Sequence, residues 1–347
     1  MAEVLNFEHN GITVNASESP EAMGGLGDNV IGLIGTAPKA DPLIPRNAPF
    51  RINSFTTQAL LDPTGSEEGT LYHAVFQILK VVKVPVYVVI VEEGATEADT
   101  LNNVIGGIDP LTGRKLGLAA LSGVAEDLTI IGAPGFTGTK AVAGEFASFG
   151  KRIKARVVLD GKDAAVADQV TYSQELGGAE LGFDRCLLVH NMPSVYSKAA
   201  KKNVFLSPSS LAIAALARGK QWESPGNQVT YAEDVSRVVE YNILDTSTEG
   251  DLLNRYGISY YARTILGGFS LLGNRSVTGK FISYVGLEDA ISRKLVKAGQ
   301  KAMAKNLTKS FMDQESRDGH ILIGSTLEHE GYVKTPTGEA LESLKAS

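Results

Sequence analysis

The chain has 347 residues, 43% of them hydrophobic and 21% charged, which is more than one core ordinarily organises and too apolar for disorder over most of its length. Thirty-three basic against 39 acidic side chains leave a net charge of −6, which argues against a dedicated nucleic-acid binder, whose affinity comes from neutralised phosphates. The single cysteine, Cys186, excludes an internal disulfide and a multi-cysteine metal site.

The start, MAEVLNFEHN, has neither a basic nor an apolar leader region, so no secretory signal is expected. Residues 3–15 hold two short apolar-alternating pieces around Gly11, followed by the breaker-rich SESPEAMGGLGDN, which reads as an extended arm on a tether. VIGLIGTAP (30–38) predicts a strand, and a loop through Pro42, Pro45 and Pro49 precedes a helical pattern from Thr70 to Val82. The next apolar run, VYVVIV, is far shorter than the roughly 20 residues of a membrane span. Its continuity predicts a strand covered on both faces, and no direct membrane insertion is expected.

Helices are predicted over 97–106 and 116–125 before the strand DLTIIGAPG, and over Lys140–Ile153 before ARVVLDG. A mixed helical region then leads into DRCLLVHN. Five strands alternating with helices predict an α/β layer with a mainly parallel or mixed sheet. After Pro193 the texture changes. SPSSLAIAALARGK reads as a helix, GKQWESPGNQ as a loop, 258–278 as two strands joined at Gly267-Gly268, and Tyr284 to Met312 as a long helix, together a C-terminal α+β domain.

The sequence carries no complete catalytic or cofactor motif. GGLGDNV lacks the third glycine of a dinucleotide loop and precedes a strand instead of following one; GNRSVTGKF has one residue too many between Gly273 and Gly279 for a phosphate loop, and Phe281 where a hydroxyl belongs. Glycines serving tight turns are the better reading. No GxSxG elbow exists, the five histidines suggest no triad, and His190, after an apolar strand, reads as a satisfied core or edge histidine. LEHEGYV fails as a zinc motif because Val333 stands where the second histidine belongs. The pairs Glu67-Glu68 and Glu92-Glu93 read as solvated loop charge. No cofactor or metal is expected.

Charge is unevenly spread. Arg293, Lys297, Lys301, Lys305 and Lys309 recur every four residues, which forms one basic row along a helix, although Gly299 interrupts it. Residues 281–310 carry net +4 and residues 1–100 net −8. Such a row suits an acidic surface opposite it; a lysine face kept for solubility is the plain alternative.

GKQWESPGNQ and LNRYGISYYARTILGGFSLLGNRSVTG resemble the core of contractile tail sheath proteins of myovirus-type bacteriophages and related phage-tail-like bacteriocins. Trp222, Ser224, Pro225 and Asn227 match the family's loop; Leu253, Asn254, Gly257 and Ile258 its next step; Gly273, Asn274, Arg275 and Ser276 its strand-pair ending. Leu272 stands for the usual tryptophan and Ser276 for threonine. VIGLIGTAP resembles the family's opening strand, and the likeness covers most of residues 4–310.

The resemblance implies an extended N-terminal linker arm (1–28), an outer α/β domain (29–195) and a tube-facing C-terminal core domain (196–347). It implies a mechanical subunit of the virion, assembled in the host cytoplasm, that polymerises as stacked six-membered rings around a tail tube and contracts to drive the tube through the host envelope. Other sheath subunits, the tube protein, the baseplate and a tail terminator would be the partners, with no nucleic acid among them. On this reading Leu5, Phe7, Ile12 and Val14 add a strand to a neighbour, Gly24, Gly25 and Gly27 form the hinge, and the basic row faces the tube. The closing EHEGYVKTPTGEALESLKAS does not resemble the family's C-terminal strand, so the usual two-armed linkage is not expected. The competing readings are an α/β nucleotide- or sugar-processing enzyme, with its site at strand ends near Gly35 or Gly132 to Gly135, and a self-assembling shell protein unrelated to tails.

Overall fold

A computed structural model describes residues 29–300 together with 313, 316, 317, 319 and 320. The arm residues Leu5, Phe7, Ile12 and Val14, the hinge glycines Gly24, Gly25 and Gly27, and Lys301, Lys305 and Lys309 lie outside the described residues, as does the closing segment with His329. The chain divides into a unit of residues 28–290 and a second of 1–27 with 291–347. The architecture below is that of the first.

The first half holds most of the predicted strands and helices in order, together with a short strand and a short helix that were not expected. They are β1 (Ile31–Thr36), β2 (Phe50–Ile52), the short α1 (Phe55–Gln58), α2 (Leu71–Val81), β3 (Val86–Val91) and α3 (Glu97–Ile105). A small hairpin of β4 (Gly107–Ile108) and β5 (Lys115–Leu116) follows, then β6 (Ile130–Gly132), α4 (Lys140–Ile153), β7 (Arg156–Asp160), α5 (Val166–Glu175) and β8 (Cys186–Val189). The helix expected over 116–125 is instead a 3-10 segment, Gly117–Gly123. Gly117 sits at φ +52, outside the range an α-helix needs, and the turn packs so closely that a Cβ there would lie 2.5 Å from the Asn103 carbonyl oxygen.

The second half holds β9 (Pro193–Ser197), β10 (Lys202–Phe205), α6 (Pro208–Arg218), β11 (Gln228–Val229), β12 (Asp234–Val235), α7 (Glu249–Arg255), β13 (Ile258–Arg263), β14 (Phe269–Leu272) and α8 (Ile282–Gly299). One nine-stranded sheet, ordered β11-β14-β13-β8-β7-β6-β1-β3-β2, runs through the whole unit. Its centre is parallel from β3 to β13, and antiparallel pairs close both ends, so the sheet is mixed. The boundary expected at residue 195 does not interrupt it, because β13, β14 and β11 extend the same sheet past β8. A separate three-stranded sheet, β10-β9-β12, lies apart from the main one.

The alternation inside the buried strands builds two cores. Ile31, Leu33, Val86, Val88 and Ile90 join α2 and α6 residues such as Ile78 and Ile213, while Ile34, Val89 and Val91 join Val104, Val142 and Phe146 from α3 and α4. Helix α6 is buried along nearly its entire length, from Pro208 to Ala217, which is why its sequence is apolar on every face; Pro208 opens it where a missing N–H costs nothing.

Two buried cations stitch the later segments to the sheet. Arg156, 1% exposed, donates to the Gln221 carbonyl (3.0 Å) and to Asn29 Oδ1 (2.7 Å), and Asn29 in turn donates to the carbonyls of Ala217 and Gly219. Arg185 pairs with Asp289 of α8 at 2.8 Å. Gly286 lets α8 approach this region, since a Cβ there would lie 1.7 Å from the Gln221 carbonyl oxygen.

Candidate functional site

In an open α/β sheet, ligands are expected where strand order reverses, beyond the C-terminal ends of the strands. Here that place is between β1 and β6, and a cavity of about 370 Å³ lies there, lined by Glu67, Thr70, His73, Gly135, Ser197 and Ser210 among others. Two glycines within the neighbouring strands β1 and β6 serve packing. A Cβ on Gly35 would lie 2.3 Å from Thr70 Oγ1 and one on Gly132 2.9 Å from Ile213 Cδ1, so both admit a helix against the strand instead of a phosphate.

The polar groups around it are already engaged. Asp160, fully buried at the end of β7, accepts from the Ser209 N–H (2.8 Å), the Gly135 N–H (2.9 Å) and Thr137 Oγ1 (2.8 Å), and burial raises its pKa against the pull of those bonds. Glu67 corrects the expectation of solvated loop charge: its side chain is 9% exposed, accepts from Ser197 Oγ (2.5 Å) and the Lys198 N–H (3.2 Å), and pairs with His73 Nε2 at 3.4 Å. Its backbone sits at φ +59, held there in part by its own N–H bonding Asp62. Glu68, Glu92 and Glu93 are exposed as expected. Burial lowers the pKa of His73, with Glu67 opposing.

His190 also departs from expectation. It is buried, yet neither ring nitrogen finds a partner among the described residues. Burial and then Arg237 push its pKa from 6.5 down to about 4, with Asp163 and Glu249 opposing, so it is held neutral.

The loop and strand-pair motifs converge elsewhere. Asn227, Asn254, Gly273, Asn274 and Arg275 line one cavity of about 280 Å³ beside β13 and β14, whereas Trp222, Pro225 and Gly257 do not. Trp222 and Pro225 are buried. Gly257 stands at φ +68 just after α7, where a Cβ would meet the Ser276 carbonyl oxygen at 2.1 Å; Gly273, at φ +118, sits against Ser259. Asn227 takes a left-handed φ of 56 and donates its N–H to the Leu271 carbonyl at 2.9 Å, which anchors β11 to β14. Asn274 Nδ2 donates to Ser283 Oγ (3.1 Å) at the start of α8. Arg275 donates to the Gly279 carbonyl (3.1 Å) and lies 4.5 Å over the Phe281 ring. The turn tested as a phosphate loop closes on itself through the Gly279 N–H to the Ser276 carbonyl (2.8 Å) and the Ser276 N–H to the Lys280 carbonyl (2.7 Å), while Lys280 pairs with Glu288 of α8 at 2.6 Å.

Tyr241, Asp251, Tyr260 and Phe281 also line that cavity and were not signalled by the sequence. Of the basic row, Arg293 is half-buried and Lys297 exposed on α8. Among the described residues no cluster of three or more His, Cys, Asp or Glu is placed to hold a metal ion, and no helix is long and apolar enough to cross a membrane.

No protein-family model matches the chain. Two partial likenesses are to glycine oxidases, of Pseudomonas putida KT2440 (40% identical over 98 residues) and of Pseudomonas aeruginosa PAO1 (46% over 71 residues). They cover 28% and 20% of this chain, and it spans only 20% and 16% of their lengths. A prophage major tail sheath protein of Pseudomonas aeruginosa UCBPP-PA14 is instead 25% identical over 95% of this chain and 86% of its own. The helical sheath of the anti-feeding prophage in its contracted state superposes with a TM-score of 0.64 at 16% identity, covering 97% of this chain and 88% of that one. The contracted sheath of an extracellular contractile injection system, PVC, gives 0.64 at 14% identity over 95% and 86%. Across almost all its residues the chain has the fold of these contractile sheath subunits, and over the same span it is similar in sequence to a prophage tail sheath protein.

Proposed function

We propose that this protein polymerises as stacked six-membered rings around a tail tube and shortens on triggering to drive the tube through a host envelope. The observation that carries the proposal is the likeness over nearly the whole chain to a prophage tail sheath protein and to two sheaths solved in the contracted state, with a further match to a chain of a baseplate. Baseplate, tube and terminator would be its partners, within a virion or phage-tail-like particle assembled in the host cytoplasm.

The arm of residues 1–28 is the link between subunits, with Leu5, Phe7, Ile12 and Val14 pairing with a neighbour's sheet edge and Gly24, Gly25 and Gly27 as its hinge. Main-chain hydrogen bonds of that kind survive large rotations of the bodies they join. The sheet unit, with strands from both the 29–195 and 196–347 segments, is the rigid body that rotates. The row from Arg293 to Lys309 faces the tube, where exposed ion pairs are weak and screened by salt and so release easily.

Deleting residues 1–20 tests the linkage. The deletion variant should remain folded, with unchanged circular dichroism, and form no sleeves in negative-stain micrographs. Sleeves of normal length would overturn it.

A further inference from the structure

The cavity beside β13 and β14 holds polar groups that the packing does not use. Tyr260 is 4% exposed and lines the cavity, yet its hydroxyl makes no hydrogen bond among the described residues. Burial, then Asp251 and Tyr241, push its pKa up, so it stays a neutral donor. Gly250 keeps the place clear, because a Cβ there would lie 2.1 Å from that oxygen. Asn274 Oδ1 is buried without a partner while its Nδ2 is held by Ser283. Asn227 and Asn254 bring exposed amides to the rim. Arg275 has further N–H groups beyond the one given to Gly279, and Asp251 uses one carboxylate oxygen on Thr248.

The chemistry of this set is specific. A guanidinium and a carboxylate in one bowl favour neither an anion nor a cation. Three amides and a phenol offer donors and acceptors side by side, which suits a ligand dense in hydroxyls. The Phe281 face, 37% exposed, and Tyr241 supply apolar area for a ring's C–H surface. The volume, about 280 Å³, lies at the small end of ligand pockets and admits one ring with a few waters, not an extended chain.

We propose that this cavity binds a single neutral hexose-type sugar ring, with Tyr260, Asn254, Asn274, Asp251 and Arg275 taking its hydroxyls. Affinity for so small a ligand falls in the millimolar range, roughly 1 mM. Sugar binding here does not depend on polymerisation and is read on the full chain in solution.

The test is saturation-transfer NMR with the methyl glycosides of glucose, galactose, mannose and N-acetylglucosamine, and with methyl phosphate and tetramethylammonium as charged probes. At least one sugar should receive saturation while the charged probes do not. Tyr260→Phe removes a hydroxyl with no internal partner and Asn254→Ala trims an exposed side chain, so both should keep the parent melting temperature while weakening the sugar signal about five-fold or more. Absence of transfer to every sugar, equal transfer to either charged probe, or a sugar signal unchanged in both variants would overturn the proposal.

Discussion

Two cavities of similar size have opposite chemistry. The one of about 370 Å³ at the ends of β1 and β6 lies where an α/β enzyme would hold its substrate, but Glu67 is bound there by both His73 and Ser197, and the nearby Asp160 is consumed by its own hydrogen bonds. The one of about 280 Å³ beside β13 and β14 lies at no privileged point of the fold, yet Tyr260 and Asn274 keep unspent hydrogen-bonding atoms. Position in a topology therefore says less about function than whether the polar groups have already been used.

The sharpest way to break this contrast is Asp160→Ala. It leaves the N–H groups of Ser209 and Gly135 and the Thr137 hydroxyl without their acceptor, and should cost about 3–5 kcal/mol in urea denaturation. A loss under about 1 kcal/mol would mean the switch-point network is dispensable.

His190 should make stability fall in acid. Its folded pKa of about 4 lies below the ordinary 6.5, so between those values the unfolded chain holds a proton that the folded one does not. The stabilisation is fully present above pH 6.5 and is lost as pH falls towards 4, by about 3 kcal/mol; His73, its pKa also lowered, pulls the same way. His190→Leu, which removes two unpartnered nitrogens, should flatten the profile of denaturation midpoint against pH. An unaltered slope would show that other groups set it.

Gly257→Ala should cost about 2–3 kcal/mol, because the backbone is left-handed there and the new Cβ meets the Ser276 carbonyl. Smallest of all, Tyr260→Phe should change the unfolding free energy by less than about 0.5 kcal/mol, since the lost hydroxyl holds nothing among the described residues. A larger cost would place Tyr260 with Asp160 as a structural group.

Much of the sheet was legible because strands such as VYVVIV are buried on both faces and leave an unbroken apolar run. The two-residue pairings of β4, β5, β11 and β12 were not, since two residues carry no periodicity. Continuity across residue 195 was hidden as well, because the change of texture after Pro193 reflects the separate β10-β9-β12 sheet and not a break in the main one. Among the motif residues, Gly257 and Gly273 could be picked out, and both prove to hold positive φ. Tyr260 could not: in ISYYAR it neighbours Tyr261, equally buried, whose hydroxyl donates to the Pro208 carbonyl at 2.7 Å. Only tertiary packing separates the hydroxyl that is spent from the one that is not. Glu67 and Glu68 pose the same problem, adjacent in sequence and opposite in burial.

The most direct measurement is electron microscopy of the full chain expressed with its tube partner. The account predicts hollow sleeves around tubes, present in a long narrow form and a shorter, wider one. Monodisperse small particles under the same conditions, with no sleeve in either form, would contradict it.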